Sequence, residues 1–180
     1  MKKRFSILAG IALFLVSCND GTTSGGSVAS LDSTAIKKEE KERRNKNAAM
    51  ANIDATQKLD AEQSYKDFAQ DYTEYGDGTN PSLKGLDSNK AMFKSFLSSL
   101  EHLKGSNIQA VADGDQVMVY GDWEGKFKSD FMGMKTAGKP FKFKDIDIFK
   151  FNDDGKIVEH RTVQNSLTIM AQMGIQPPKQ

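Results

Sequence analysis

The segment from Phe141 to Phe151, FKFKDIDIFKF, alternates without a break and constrains this chain more than any other stretch. Phe141, Phe143, Asp145, Asp147, Phe149 and Phe151 share one face. Lys142, Lys144, Ile146, Ile148 and Lys150 share the other. A period of two belongs to a strand, and the aromatic residues fall on one of its two faces. Asn152-Asp153-Asp154-Gly155 then reads as a turn, and Lys156 to Asn165 returns as a strand, so 141–165 is expected to form an antiparallel hairpin. Gln116 to Lys126 alternates too, with Val117, Val119, Gly121 and Trp123 opposite Met118, Tyr120 and Asp122. Ile108 to Ala112 reads as a further short strand.

Helical spacing dominates before these strands. Ala48, Ala51, Ile53, Ala55 and Leu59 make a weakly apolar stripe. Ser64 to Asp71 predicts a second short helix, followed by a short strand over Tyr72 to Tyr75. Gly76 to Gly85, with Pro81, reads as a loop. Ser88 is the expected N-cap of a helix carrying Ala91, Met92, Phe93, Phe96, Leu97 and Leu100, with Gly105 after its end. A last short helix is expected over Ser166 to Met173, ended by Gly174. Helices followed by a strand meander predict an α+β fold.

The N-terminus speaks to location. Lys2, Lys3 and Arg4 precede an uncharged apolar run of 12 residues, Phe5 to Val16. A membrane-spanning helix needs about 20 such residues, so this run has the length of a secretory signal core. It ends in Leu15-Val16-Ser17-Cys18, which resembles a bacterial lipobox; an ordinary signal peptide with an incidental Cys is the plainer alternative. The chain's only Cys stands at the position the pattern needs. Cys18 is therefore the expected lipid attachment site of a membrane-anchored envelope lipoprotein, on the periplasmic or outer-surface side. Two or more acyl chains there give stable anchoring without a span. Cleavage removes Lys2, Lys3 and Arg4 and takes the formal charge from +1 to −2. The expected organisation is a signal peptide over 1–17, a lipidated Cys and flexible tether over 18–31, a charged helical stalk over 32–44, a folded domain over 45–176 and a tail over 177–180. Within the stalk, Glu39–Arg43 and Glu40–Arg44 have the spacing of solvated i,i+4 pairs.

Composition closes several doors. Lys plus Arg is 25 and Asp plus Glu is 24, a balance that argues against nucleic acid as a partner. A single Cys excludes a disulfide framework and a multi-Cys zinc site. Two His, at 102 and 160, argue against a His-based metal centre, and no metal or cofactor is expected. Gly25-Gly26 does not lie at a strand-to-helix turn and makes no phosphate loop. Nothing has Ser/His/Asp spacing.

Several words of the C-terminal half resemble SnoaL-like polyketide cyclase domains of the nuclear transport factor 2-like superfamily. They are Gly114-Asp115-Gln116-Val117 through Phe131-Met132-Gly133, Thr136-Ala137-Gly138-Lys139-Pro140, Ile146-Asp147-Ile148-Phe149, Asp154 to His160, and the closing Leu167 to Gly174. The resemblance covers about 45–175 and is strongest over 113–174. It implies a cone-shaped α+β fold, in which a curved antiparallel sheet wraps around N-terminal helices and leaves a pocket at its open end. Dimers through the sheet are common in that superfamily, and the Lys/Ile face of 142–150 is the local hint of one. Cyclase members resemble one another in moving a proton beside a carbonyl with a pocket carboxylate. Where such members often carry an Asp after the strand His, this chain has Thr162, Gln164 and Asn165. Where a Gly-Thr-His word is common, it has Gly125-Lys126-Phe127, and Tyr75 stands where His is frequent.

The pocket residues expected on this basis are Tyr72, Phe96, Trp123, Phe131, Asp145, Asp147 and His160. Asp145 and Asp147 are either desolvated among phenylalanines and mutually repelling, or at a wetted rim and paired with basic residues. His160 either lines the cavity or is an ordinary strand His, and His102 is expected at the surface. Trp123 either stacks on a flat ligand, plugs the core or meets a dimer partner. Met132, Met134, Met170 and Met173 are lining or core. The leading expectation is a protein that binds a small apolar or amphipathic molecule, with no catalytic role assigned. One alternative is an isomerase- or cyclase-type proton-transfer enzyme with Asp145 or Asp147 as base and His160 or a Tyr as partner. The other is a dimerising or protein-interaction scaffold.

Overall fold

The computed structural model describes residues 27–175. Cys18, the signal segment 1–17 and the tail 177–180 lie outside the described residues. A long helix α1 (Ser27–Gln57) and one helical turn α2 (Ala61–Ser64) precede strands β1 (Phe68–Glu74) and β2 (Leu83–Lys84). Helix α3 (Leu86–Ser99) leads into β3 (Leu100–Asp113), β4 (Gln116–Phe127), β5 (Pro140–Phe151) and β6 (Ile157–Thr162), and α4 (Ser166–Gln172) closes the chain. The strands form one curved sheet in the order β2-β1-β6-β5-β4-β3. Among the described residues no helix is long and apolar enough to cross a membrane.

The fold is α+β, and β4 and β5 follow their sequence pattern. Val117, Val119, Trp123 and Phe127 of β4 are buried, as are Phe141, Phe149 and Phe151 of β5. They meet Ala49 and Ile53 of α1 and Leu97 of α3 across the concave face. Two irregularities in the β3–β4 register, between Leu100 and His102 and between Ser106 and Gln109, bend the sheet around the helices. On the convex face Lys142 pairs with Glu124 at 2.9 Å, Lys144 with Asp122 at 2.6 Å and Lys150 with Glu159 at 3.1 Å. The Lys/Ile face is thus laced by cross-strand ion pairs.

Four local expectations are corrected. The helix expected over Ser64 to Asp71 is absent: Ser64 ends α2, residues 65–67 form a turn and Phe68 to Asp71 belong to β1. Residues four apart share a face in a strand as well as in a helix, and Phe68 and Tyr72, both in β1, stack edge to face at 4.7 Å. Helix α3 starts after Gly85, at φ +99°, and not at Ser88. Asn89 holds that entry by donating its Nδ2 to the carbonyls of Leu83 (2.9 Å) and Gly85 (2.8 Å). Gly105 lies inside β3 and ends no helix; it faces Trp123, whose ring stands 3.3 Å from where a Cβ would be. The sheet is mixed, since β1 runs parallel to β6 with Glu74 beside His160.

The charged stretch 32–44 does not stand apart from the domain. It is the middle of α1, which already begins at Ser27, inside the expected tether. Its pairing is also different. Arg44 hydrogen-bonds Asn45 and the Asp153 carbonyl, at 3.0 Å for the latter, and Lys41 pairs with Asp153 at 3.0 Å. Glu42 accepts the Gly114 N–H at 2.8 Å, and Asn45, fully buried, donates to the Gly114 carbonyl at 3.3 Å. These contacts dock α1 onto the β3–β4 and β5–β6 turns.

Gly125 is required for a close approach. It pairs with Phe141, whose ring covers it, and an added Cβ would meet that ring and lie 3.0 Å from the His102 carbonyl oxygen. The ring is buried and the carbonyl is backbone, so neither yields easily. Gly125→Ala is expected to destabilise by about 1–3 kcal/mol, visible as a lower urea midpoint at unchanged slope.

Candidate functional site

Between α1, α3 and the concave sheet face lies a cavity of about 660 Å³, within the range of small-molecule sites. Its apolar wall includes the expected residues Tyr72, Phe96, Trp123 and Phe131. Its polar wall includes the expected Asp145, Asp147 and His160, so the strand alternation carries both aspartates inward. His102 is exposed on β3, and Met173 is buried in the core. Met132 lines the cavity yet is 72% exposed. Phe127 is core, and Lys126 pairs with Glu101 at 2.7 Å.

The centre of the polar wall is a buried, hydrogen-bonded cluster of charged side chains. His160 Nδ1 donates to Glu74 Oε2 at 2.8 Å, and Nε2 donates to Asp147 Oδ1 at 3.1 Å. Glu74 also accepts from the Tyr72 hydroxyl and, at 2.8 Å, from the Gly76 N–H. Topology builds this arrangement: Glu74 neighbours His160 across the parallel β1–β6 pair, while Asp147 lies diagonal to it across β5–β6. Burial alone would favour neutral His160, but the Glu74 and Asp147 carboxylates outweigh it and raise its pKa to about 10. The ring is therefore an imidazolium at neutral pH, and it packs on Phe149 with centroids 4.7 Å apart. Burial likewise opposes charge on Glu74, yet His160, Tyr72 and Gly76 hold its pKa below the ordinary value.

Asp145 is different. It is 6% exposed, and its Oδ1 is buried without a hydrogen-bond partner. Its cross-strand neighbour on β4 is Gly121, which offers no side chain. Burial, and then the nearby Asp147 carboxylate, push its pKa up to about 7, against the opposing charge of His160. The Thr162 hydroxyl is a second buried group without a partner on this wall. Among the described residues, no group of three or more His, Cys, Asp or Glu side chains is arranged to hold a metal ion.

The sequence model of the SnoaL-like polyketide cyclase family matches residues 46–173. The chain belongs to that family. Solved structures agree on the fold of this SnoaL-like domain. A Xanthomonas campestris pv. campestris protein, provisionally named a polyketide cyclase, aligns at TM-score 0.67 and 17% identity, over 74% of this chain and 98% of that one. A Mycobacterium tuberculosis LEH-like epoxide hydrolase aligns at 0.59 and 14%, over 73% and 90%. A phenazine biosynthesis-related protein from Pseudomonas aeruginosa aligns at 0.63 and 19%, over 81% and 95%. No protein with a curated description matches the sequence.

Sequence reasoning missed Glu74 and Asn89 of the SnoaL-like site. Glu74 follows a stretch that reads as a helix end and then a polar strand, and its only signal is the alternate spacing Tyr72–Glu74. Of the substituted family positions, Thr162 and Gln164 line the cavity. Asn165 instead caps α4, accepting the Thr168 N–H at 3.0 Å. Tyr75 lines the cavity as well and is stacked under Arg161 at 3.9 Å.

Proposed function

We propose that the SnoaL-like domain is an acid–base enzyme that moves a proton beside the carbonyl of a small apolar substrate. The observation that carries this reading is Asp145, a buried carboxyl group in an aromatic cavity with one oxygen, Oδ1, left without a hydrogen-bond partner, which titrates near neutral pH. A general base works best when its pKa lies near the operating pH. Ionised Asp145 takes the proton from the carbon next to the carbonyl. The C–H electron pair moves into the C–C bond and the carbonyl π pair onto oxygen, giving an enolate. Protonated Asp145 then returns the proton to the same or another carbon. The Thr162 hydroxyl is free to donate to the enolate oxygen, and the His160 imidazolium lends positive potential. Both His160 nitrogens are already engaged, so its part is electrostatic.

The test is deuterium exchange. A panel of cyclic ketones incubated with the protein in D₂O and followed by NMR is expected to exchange the hydrogen beside the carbonyl, with a rate that rises with pH through about 7. Exchange no faster than in buffer across the panel overturns the proposal.

We further propose that Cys18 is lipidated and holds the protein to a bacterial envelope membrane. The lipobox-like Leu15-Val16-Ser17-Cys18 supports this. Cys18→Ala is expected to abolish incorporation of labelled palmitate and to move the protein from the membrane to the soluble fraction; unchanged labelling refutes it.

A further inference from the structure

Three side-chain polar atoms among the described residues are buried without a hydrogen-bond partner: Asn89 Oδ1, Asp145 Oδ1 and Thr162 Oγ1. All three residues line the same cavity. Asp145 and Thr162 belong to the reaction just proposed. Asn89 does not, and it sits elsewhere. It is tied to β2 through the Leu83 carbonyl, and β2 is three strand positions from β5, roughly 14 Å at strand spacing.

The orientation of the Asn89 amide is fixed by chemistry. Its Nδ2 donates to two backbone carbonyls, Leu83 O and Gly85 O. Exchanging N and O would set an acceptor against two acceptors. Its Oδ1 is therefore a held acceptor, and the residue is 1% exposed. Buried acceptors of native proteins are nearly always paired. A buried acceptor without a partner, on a residue that lines a cavity, marks where a ligand donor belongs.

Charge restricts the ligand further. The cavity wall carries Glu74, Asp77, Asp145 and Asp147 but no Lys or Arg, and its one cation, His160, has both nitrogens engaged. An anion brought into this wall meets carboxylates and finds no free cation.

We propose that Asn89 is a specificity residue: it accepts a hydrogen bond from a hydroxyl or amino group on the end of the ligand remote from Asp145, in a cavity that takes uncharged or cationic molecules and rejects anions. This rests on the cavity being a ligand site and names the substrate class for the reaction above: a carbonyl compound bearing a donor at its far end.

Calorimetric titration of the protein with naphthalene, 2-naphthol and 2-naphthoate tests it. The wild type is expected to bind 2-naphthol about tenfold tighter than naphthalene, the worth of one recovered hydrogen bond, and 2-naphthoate not measurably. In Asn89→Ala the ratio of 2-naphthol to naphthalene affinity is expected to fall to about one. Equal binding of naphthalene and 2-naphthol by the wild type, binding of 2-naphthoate as tight as 2-naphthol, a preference that persists in Asn89→Ala, or no binding of any probe each overturns the inference. If Asn89→Ala does not fold, the wild-type series decides. The two proposals fail separately: probe selectivity without deuterium exchange sinks the proton-transfer reading alone, and exchange with binding of 2-naphthoate sinks this one alone.

Discussion

Replacing Asp145 with asparagine is expected to lower the deuterium-exchange rate by about 100- to 10,000-fold, the usual contribution of a positioned base. The substitution keeps the shape of the side chain and removes only its ability to carry a proton. Stability is expected to move the other way. The folded-state pKa of Asp145 is raised to about 7, above the unfolded value of about 3.9. The native state therefore binds the extra proton between these values, and stability falls as pH rises from about 4 to about 7. Asp145→Asn removes that loss. Its urea midpoint is expected to exceed that of the wild type at pH 8 and to match it near pH 4. A variant that is both inactive and less stable at pH 8 would mean that the carboxylate supports the fold and has no proton to move.

His160→Gln is expected to be the most destabilising single change at the site, by about 3–5 kcal/mol, the cost of leaving buried charge uncompensated. Glu74 and Asp147 then face one another with no cation between them, and the Tyr72 hydroxyl alone cannot neutralise Glu74. For a domain of this size the melting temperature falls by roughly 10 °C. Removing Glu74 as well, in Glu74→Gln/His160→Gln, is expected to recover part of the loss, because the two sites are coupled through direct contact. The pH dependence identifies the cause. His160 has a folded-state pKa raised to about 10, above its unfolded value of about 6.5. Its contribution is complete below about pH 6.5 and is lost as pH rises through about 10. Urea midpoints at pH 7 and pH 10 are expected to differ more for the wild type than for His160→Gln. An equal decline in both proteins would show that the imidazolium is not the group that titrates.

The alternation of Phe141 to Phe151 made β5 legible from sequence and put both aspartates on the face of the phenylalanines, because a period of two leaves each side chain no choice of face; whether that face was buried or wetted at its rim depended on the helices that cover it. The turn Asn152 to Gly155 fixed the β5–β6 pairing in the same way. What stayed hidden depended on partners far along the chain. Phe68 and Tyr72 are four residues apart, a spacing that strand and helix share. Only pairing with Ile157 to His160, about ninety residues later, selects the strand. Glu74 reads as a surface acid until His160 is placed beside it. Ser88 has the chemistry of a cap, but Gly85 reaches a backbone angle that Ser88 cannot reach cheaply. Gly105 looked like a stop because the room it makes for Trp123 comes from β4, which sequence spacing does not reveal.

The strand that carries His160 is the last to be synthesised, yet it lies between β1 and β5. Until it arrives, the nascent chain holds two separate half-sheets, β2-β1 and β5-β4-β3, each with an unpaired edge facing the gap. Exposed edges of this kind recruit other chains. A chain truncated before Ile157 is therefore disposed to aggregate, and the Glu74–His160–Asp147 cluster is complete only when the final strand is inserted.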